Sequence, residues 1–446
     1  MTPVSATANA PSGPVKATGY AWLVVTLLML AHVLSFVDRQ ILNLLVGPIR
    51  KDLGISDTEM SLLMGLSFAF FYTICGIPLA RWADRGSRRW LIAGGAFAWS
   101  LATAACGLAQ RYSHMLLARV GVGVGEATLS PASFSLITDY FPREQRASAI
   151  SIFVMGVYLG GGLAFLIGGI VATYAATHGA MTLPLIGEIR TWQVIFLILG
   201  AVGVLFSLML LLVREPPRSS PGSTGIPIRE VLAKLKSNRR TLTCHHLGFA
   251  VISLAGYGSS AWIPSFYIRV HHWTPYEVGL TYGVILMVFG ALGVNFGGRI
   301  ADYYLRRGVT DACMRVGMWA AILAVPSSLS FLTFESYWGI FAALAAGTFF
   351  FSMPFGCAPA ALQEIVPANM RAQTSAIYLF VINMIGLGLG PTAVALVTDY
   401  VFHDDQAVGQ SLMLINVSSL IIAAILLGLG LKPYRESLAR QRAAEA

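Results

Sequence analysis

The chain has 446 residues, a formal net charge of +9, 56% hydrophobic but only 11% charged residues, and a mean hydropathy of +0.69. A soluble domain carries about 25% charged residues, so this composition excludes a water-soluble protein. With charge so sparse, the basic excess reads as a membrane-topology signal, and no nucleic-acid partner is expected.

In chain order, residues 1–19 are polar with a single basic residue, Lys16, and form an expected disordered tail rather than a cleavable signal. Segment 20–47 is apolar but holds Asp38 and Arg39. Uncharged runs follow at 60–80 and 90–110, then 112–139, apolar around Arg119 and Glu126, then 147–187 and 191–213. Residues 214–240 are the one long polar break. Their Pro/Ser/Gly-rich first half reads as a linker and "IREVLAKLKSNRR" as a basic amphipathic helix. Apolar runs resume at 241–268, 278–298, 316–334, 336–363, 372–398 and 406–431, before a basic tail, 432–446.

About 20 apolar residues cross a hydrocarbon core as a helix, and lipid forces backbone groups to pair within the segment. The expected fold is therefore all-α integral membrane, with twelve transmembrane helices in two six-helix bundles, 20–213 and 241–431. Only Arg50, Lys51, Arg111, Arg190 and Arg269 fall in loops on one side, which places both termini in the cytoplasm of a cell inner membrane. The five cysteines occupy five apolar segments without metal-ligand spacing, and His245–His246 and His271–His272 lack any H-E-x-x-H context. No metal, cofactor or enzymatic activity is expected.

The halves repeat. Aligning "ARWADRGSRR" with "GGRIADYYLRR" on Asp84 and Asp302 sets Arg88 and Arg89 opposite Arg306 and Arg307. Pro142 and Arg146 match Pro367 and Arg371 at a similar offset. Duplication with a polar loop between the halves is a signature of transporter folds.

These residues resemble the major facilitator superfamily, whose signature loop is similar to "ARWADRGSRR", with Gly86 one place early and Ser87 where glycine is usual. Within it, "FVDRQ" and "RVGVGVGEATLSPASFSLITDYFPREQRASAISIF" resemble the Spinster family of lipid transporters. Thr128 and Leu129 stand where that family often has a tyrosine, and the Gly-Pro pair of drug exporters is absent from "GVYLGGGLAFLIGG". The resemblance implies alternating access, with helices 1, 4, 7 and 10 lining a central cavity, and proton-coupled movement of amphipathic lipids.

A charge at mid-bilayer costs from about 2.5 to more than 10 kcal/mol, so Arg119 and Glu126, about two turns apart on one helix face, need a partner or water. In one reading, Arg119 forms a permanent internal salt bridge with Asp38 or Glu126. In the other, Arg119 binds an anionic head group while Glu126, with Asp38 as second carboxylate, exchanges protons. Arg39 either lines the cavity or braces the N-terminal half. Phe350 and Met353 in "GTFFFSMPFG" are candidates for an apolar cavity wall. Asp84, Arg85, Arg88, Arg89, Asp302, Arg306 and Arg307 are candidate gating charges. The glycines of "GVGVG" read as helix-packing surface, not a phosphate loop. The expected function is a monomeric secondary transporter, protons and an anionic amphiphile such as a lysophospholipid or sphingoid phosphate being its partners. The alternative is a proton symporter of small sugar acids.

Overall fold

A computed structural model describes residues 17–445 apart from 178–180, 184–186, 218–227, 331–332, 334–335 and 368–369. Twelve membrane-length helices run through them. Spans 1 to 6 are Gly19–Leu44, Asp57–Ala83 (its helix continuing to Arg85), Arg88–Cys106, Tyr112–Tyr140, Arg143–Thr177 and Thr191–Leu210. Spans 7 to 12 are Arg239–Arg269, Pro275–Arg306, Ala312–Leu329, Tyr337–Glu364, Gln373–Phe402 and Val408–Glu445. The expected amphipathic helix occupies Ile228–Ser237, between spans 6 and 7. A short antiparallel hairpin, Met181–Leu183 with Gly187–Ile189, precedes span 6 and ends the apolar run that the sequence assigns wholly to span 5.

The duplication is physical as well as textual. Spans 2 and 8 both open on capping boxes, Ser56 with Glu59 and Thr274 with Glu277, at the 218-residue offset that relates Asp84 to Asp302. Arg146 donates to the Thr138 carbonyl at 2.8 Å and Arg371 to the Gln363 carbonyl at 3.0 Å. Each arginine thereby ties off the helix eight residues before it, span 4 in one half and span 10 in the other.

Residues 432–445 are not a separate tail. Span 12 continues through Glu445, and Tyr434, Ser437, Leu438 and Gln441 form a buried face against the C-terminal bundle. Tyr434 donates to the Ala361 carbonyl at 3.1 Å, and the Ser437 hydroxyl lies 2.8 Å from that of Thr241. These spacings of three and four residues keep one helix face apolar or hydrogen-bonded well past the membrane-length stretch.

The end at which span 1 begins and span 12 finishes, called the terminal end, differs from the opposite, distal end. At the distal end one hydrophobic core draws on both halves, joining Ile41, Leu45, Ile49 and Met60 to Trp262, Phe266, Val408 and Leu412. Toward the terminal end the core divides. Leu28, Trp99, Leu136 and Phe153 belong to one cluster, and Phe249, Met314, Leu362 and Leu427 to another. Span 5 meets span 8 backbone to backbone: a Cβ on Gly279 would lie 2.4 Å from the Phe165 carbonyl, a contact only glycine permits.

Polar groups repeat the asymmetry. Asp57, fully buried at the start of span 2, accepts two hydrogen bonds from Arg269 of span 7, at 2.6 and 2.8 Å, and an ion pair from Arg50 at 2.9 Å. Arg50 also holds Asp405 at 2.8 Å, and Asp399 of span 11 caps the Thr58 N–H at 2.8 Å. Three of these residue pairs, Asp57–Arg269, Arg50–Asp405 and Thr58–Asp399, tie one half to the other. Among the described residues, the halves are closed onto each other at the distal end, and no ion pair joins them at the terminal end.

Candidate functional site

Span 4 is the organising element. Its helix runs from Tyr112 to Glu126, breaks at Ala127–Thr128, and resumes at Leu129. Two of its glycines bring neighbouring helices close. A Cβ on Gly123 would lie 2.8 Å from the Phe68 carbonyl of span 2, and one on Gly125 2.7 Å from the Trp99 side chain of span 3. The "GVGVG" glycines are thus packing surface, as their spacing predicts, and Arg119 and Glu126 face span 1.

The two span 4 charges do not pair with each other. Glu126 accepts hydrogen bonds from Arg39 Nε and Ser35 Oγ, both 2.6 Å from its Oε2. Arg119 donates instead to backbone, to the Leu63 carbonyl at 3.2 Å and the Asp38 carbonyl at 3.3 Å, with the Phe68 ring 5.3 Å from its guanidinium carbon. The Asp38 carboxylate accepts from Thr103 Oγ1 at 3.1 Å. Asp38, Arg119 and Glu126 are all buried, and among the described residues Arg119 Nη2 and Glu126 Oε1 have no hydrogen-bond partner.

Arg39 is the cation that reaches open space. Its side chain is 13% exposed against 0% for Glu126. Its guanidinium lies 4.8, 4.6 and 4.6 Å from the ring centres of Phe36, Phe68 and Tyr72, an aromatic environment that favours a desolvated cation. Arg39 also borders a narrow cleft between the halves. Phe36, Gln40, Asn43, Met64 and Phe68 line one wall, and Tyr257, Ser260, Ala261, Leu387 and Pro391 the other. Asn43 donates to the Gln40 side chain at 2.5 Å and to the Ser260 carbonyl at 3.2 Å, and Ser260 Oγ to Gln40 at 3.2 Å.

This arrangement revises the expected division of roles. Arg119, expected either to form a salt bridge with Asp38 or Glu126 or to face the cavity, does neither: it lies behind Arg39 and meets Asp38 through its backbone, not its carboxylate. Phe350 and Met353 do not line the cleft. Phe350 packs on the core of the C-terminal bundle, and Met353 is buried in it, because Gly297 lets span 8 approach within 2.2 Å, Cβ position to Met353 carbonyl. Spans 2 and 11 take their place. Composition offered no signal for Leu387 and Pro391, but Ser35, Arg39 and Asn43 recur every four residues along span 1, and that stripe could have been read.

The candidate gating charges divide. Arg88 is buried inside the N-terminal half, bonded to Asp139, to Glu215 at 2.7 Å and to the Ser135 hydroxyl at 3.0 Å. The Arg89 backbone N–H donates to Glu215 at 2.9 Å. Arg85, Asp302, Arg306 and Arg307 are exposed and form no ion pair with any described residue; the side chain of Asp84 lies outside the described residues. Glu215 sits in the loop after span 6. Burial pushes its carboxyl up, but hydrogen bonds from the Arg89 backbone, the Arg88 guanidinium and Ser87 outweigh this and hold it below the usual range.

Residues 28–391 match the Major Facilitator Superfamily. An MFS-type efflux pump of Mycolicibacterium smegmatis is 29% identical over 94% of each chain. Protein spinster of Drosophila melanogaster is 24% identical over 64% of this chain and 46% of its own length. A probable L-galactonate transporter of Escherichia coli (strain K12) is 26% identical over 69% of each. Among solved structures, a bacterial homolog of the human lysosomal transporter Spinster, inward-facing and unoccupied, superposes with a TM-score of 0.78 at 27% identity. That match covers 95% of this chain and 99% of the other.

Proposed function

Because the chain belongs to the Major Facilitator Superfamily and is a transporter, we propose that it moves an anionic amphiphile by proton-coupled alternating access, with its terminal end in the cytoplasm. The observation that carries this reading is the Arg39–Glu126 pair, whose arginine lines the cleft between the halves while its glutamate is buried behind it. An anionic head group entering the cleft competes with Glu126 for Arg39. Breaking a buried ion pair costs roughly 3–5 kcal/mol if one charge is left unpaired. The substrate supplies a new partner for Arg39, and a proton neutralises Glu126, so the two events are linked. Arg119 and Asp38 serve as the fixed support behind this exchange, Arg119 keeping the local field positive. The rings of Phe36, Phe68 and Tyr257 and the side chain of Leu387 suit an apolar tail. The charges at the terminal ends of spans 2 and 8 close the cleft in the alternate state.

One observation favours a second reading. The Gln40–Asn43–Ser260 network places amide and hydroxyl groups in the cleft, which suits the hydroxyls of a sugar acid, and relatives named as galactonate and hexuronate transporters fit that chemistry.

Counterflow in proteoliposomes separates the two. With labelled lysophospholipid and labelled galactonate offered side by side, the first reading expects exchange of the lipid only. Arg39→Gln abolishes that exchange, and Glu126→Gln leaves exchange but removes its response to a pH gradient. Full exchange by Arg39→Gln, or a pH-gradient response kept by Glu126→Gln, overturns the coupling scheme.

A further inference from the structure

We propose that the terminal ends of spans 2 and 8 carry matched arginine–aromatic collars that dock anionic phospholipid head groups of the adjoining leaflet. The inference concerns the membrane around the transporter, not its cargo. It rests on the cytoplasmic placement of the terminal end proposed above.

On span 2, Arg81, Trp82 and Arg85 fall within an arc of about 100° at 3.6 residues per turn, and all three are exposed, Trp82 by 60%. On span 8, Arg299, Tyr303 and Arg306 fall within an arc of about 60°, again exposed, Tyr303 by 51%. Arg81 and Arg299 stand at the 218-residue offset that relates the two capping boxes, so this arginine is present in both copies of the repeat, each with an aromatic residue beside it at a position of its own, Trp82 and Tyr303.

Other arginines at the terminal end are paired, Arg88 with Asp139 and Glu215, and Arg315 and Arg435 with Asp311. At the distal end, Arg50, Arg190 and Arg269 each hold an aspartate. None of the arginines in the two collars forms an ion pair with a described residue. Two cations near the collars lie over aromatic rings, Arg307 with its guanidinium carbon 4.3 Å from the centre of Tyr303 and Arg89 5.4 Å from that of Trp90. A guanidinium stacked in this way keeps its planar fork of N–H donors for a phosphate.

Position completes the argument. Exposed Trp and Tyr at the ends of membrane helices sit at head-group depth. Span 2 packs against span 11 and span 8 against span 5, so each collar stands beside one of the seams where the halves part. A soluble anion would gain nothing from exposed tryptophan at that depth, whereas a phospholipid meets both the ring and the charge.

The test is native mass spectrometry of the full chain released from bilayers of phosphatidylcholine mixed with phosphatidylglycerol. A basic residue near an anionic surface is worth about 1 kcal/mol, roughly fivefold in affinity. Retention of phosphatidylglycerol over phosphatidylcholine should fall by about that factor for Arg81→Gln and for Arg299→Gln, and by roughly their product for the double variant. Arg111→Gln, which removes an exposed arginine at the distal end, should leave it unchanged. All three side chains are exposed, so thermal stability is expected to match the parent chain. Retention unaffected by Arg81→Gln and Arg299→Gln overturns the proposal. So does an equal loss from Arg111→Gln, which would reduce the effect to net charge.

Discussion

The distal closure can be broken at one residue. Asp57→Asn keeps the shape of the side chain but removes the anion shared by Arg50 and Arg269, whose own side chains are 21% and 14% exposed. Truncating a buried pair costs roughly 3–5 kcal/mol. Some water reaches both arginines, and Arg50 keeps Asp405, so a figure of about 2–3 kcal/mol is appropriate. That energy is lost only where the halves touch. It shifts the balance between distally closed and distally open states by roughly 30- to 150-fold. The assay is modification of Ala261→Cys, which lines the cleft, by a membrane-impermeant thiol reagent added from the distal side. The five native cysteines are first replaced, Cys106 being buried near that end. Asp57→Asn should accelerate labelling by one to two orders of magnitude. Arg269→Gln should do likewise, and the double variant should add little, because both remove one interaction. Labelling at the parental rate in Asp57→Asn, or full additivity in the double variant, refutes the claim that this pair holds the distal end shut.

Two further outcomes follow from the N-terminal half. Glu215 is held below the usual carboxylate range, so its contribution to stability is complete above its unfolded value, about pH 4.3, and is lost as pH falls through the folded one. Melting curves in detergent should show the parent chain losing more stability than Glu215→Gln between about pH 5 and 3; parallel curves would contradict this. At the span 3–span 4 crossing, Gly125→Leu drives a side chain into Trp99, where even a Cβ would sit 2.7 Å away. Overpacking costs roughly 1–3 kcal/mol or more, and a lowered melting temperature with poor yield is the expected result.

Much of the architecture was legible because lipid is an unforgiving solvent. Ten of the twelve spans could be read as uncharged runs of membrane length. The other two were recognisable because Asp38, Arg39, Arg119 and Glu126 interrupt otherwise apolar stretches. The repeat was visible in Asp84 and Asp302 and in Pro142 and Pro367, and the structure extends it to Ser56 and Thr274, two caps easily passed over as ordinary loop residues. The extent of span 12 was not legible. Its last turns are polar on three sides, and only contact with Thr241 and Ala361 explains why Tyr434 and Ser437 are buried.

The sequence by itself determined that four acidic or arginine side chains lie at membrane depth in spans 1 and 4, and that they need one another or a cavity. This follows from the cost of charge in hydrocarbon, whatever the detailed packing. Which arginine meets Glu126 was decided only by tertiary structure. Within span 4, Arg119 and Glu126 are about two turns apart; within span 1, Asp38 and Arg39 point about 100° apart. Neither spacing fixes how one helix is rotated against the other. That rotation is set where Gly123 and Gly125 let spans 2 and 3 press onto span 4. Arg39 is turned toward the cleft and Glu126, and Arg119 is left facing backbone carbonyls behind it.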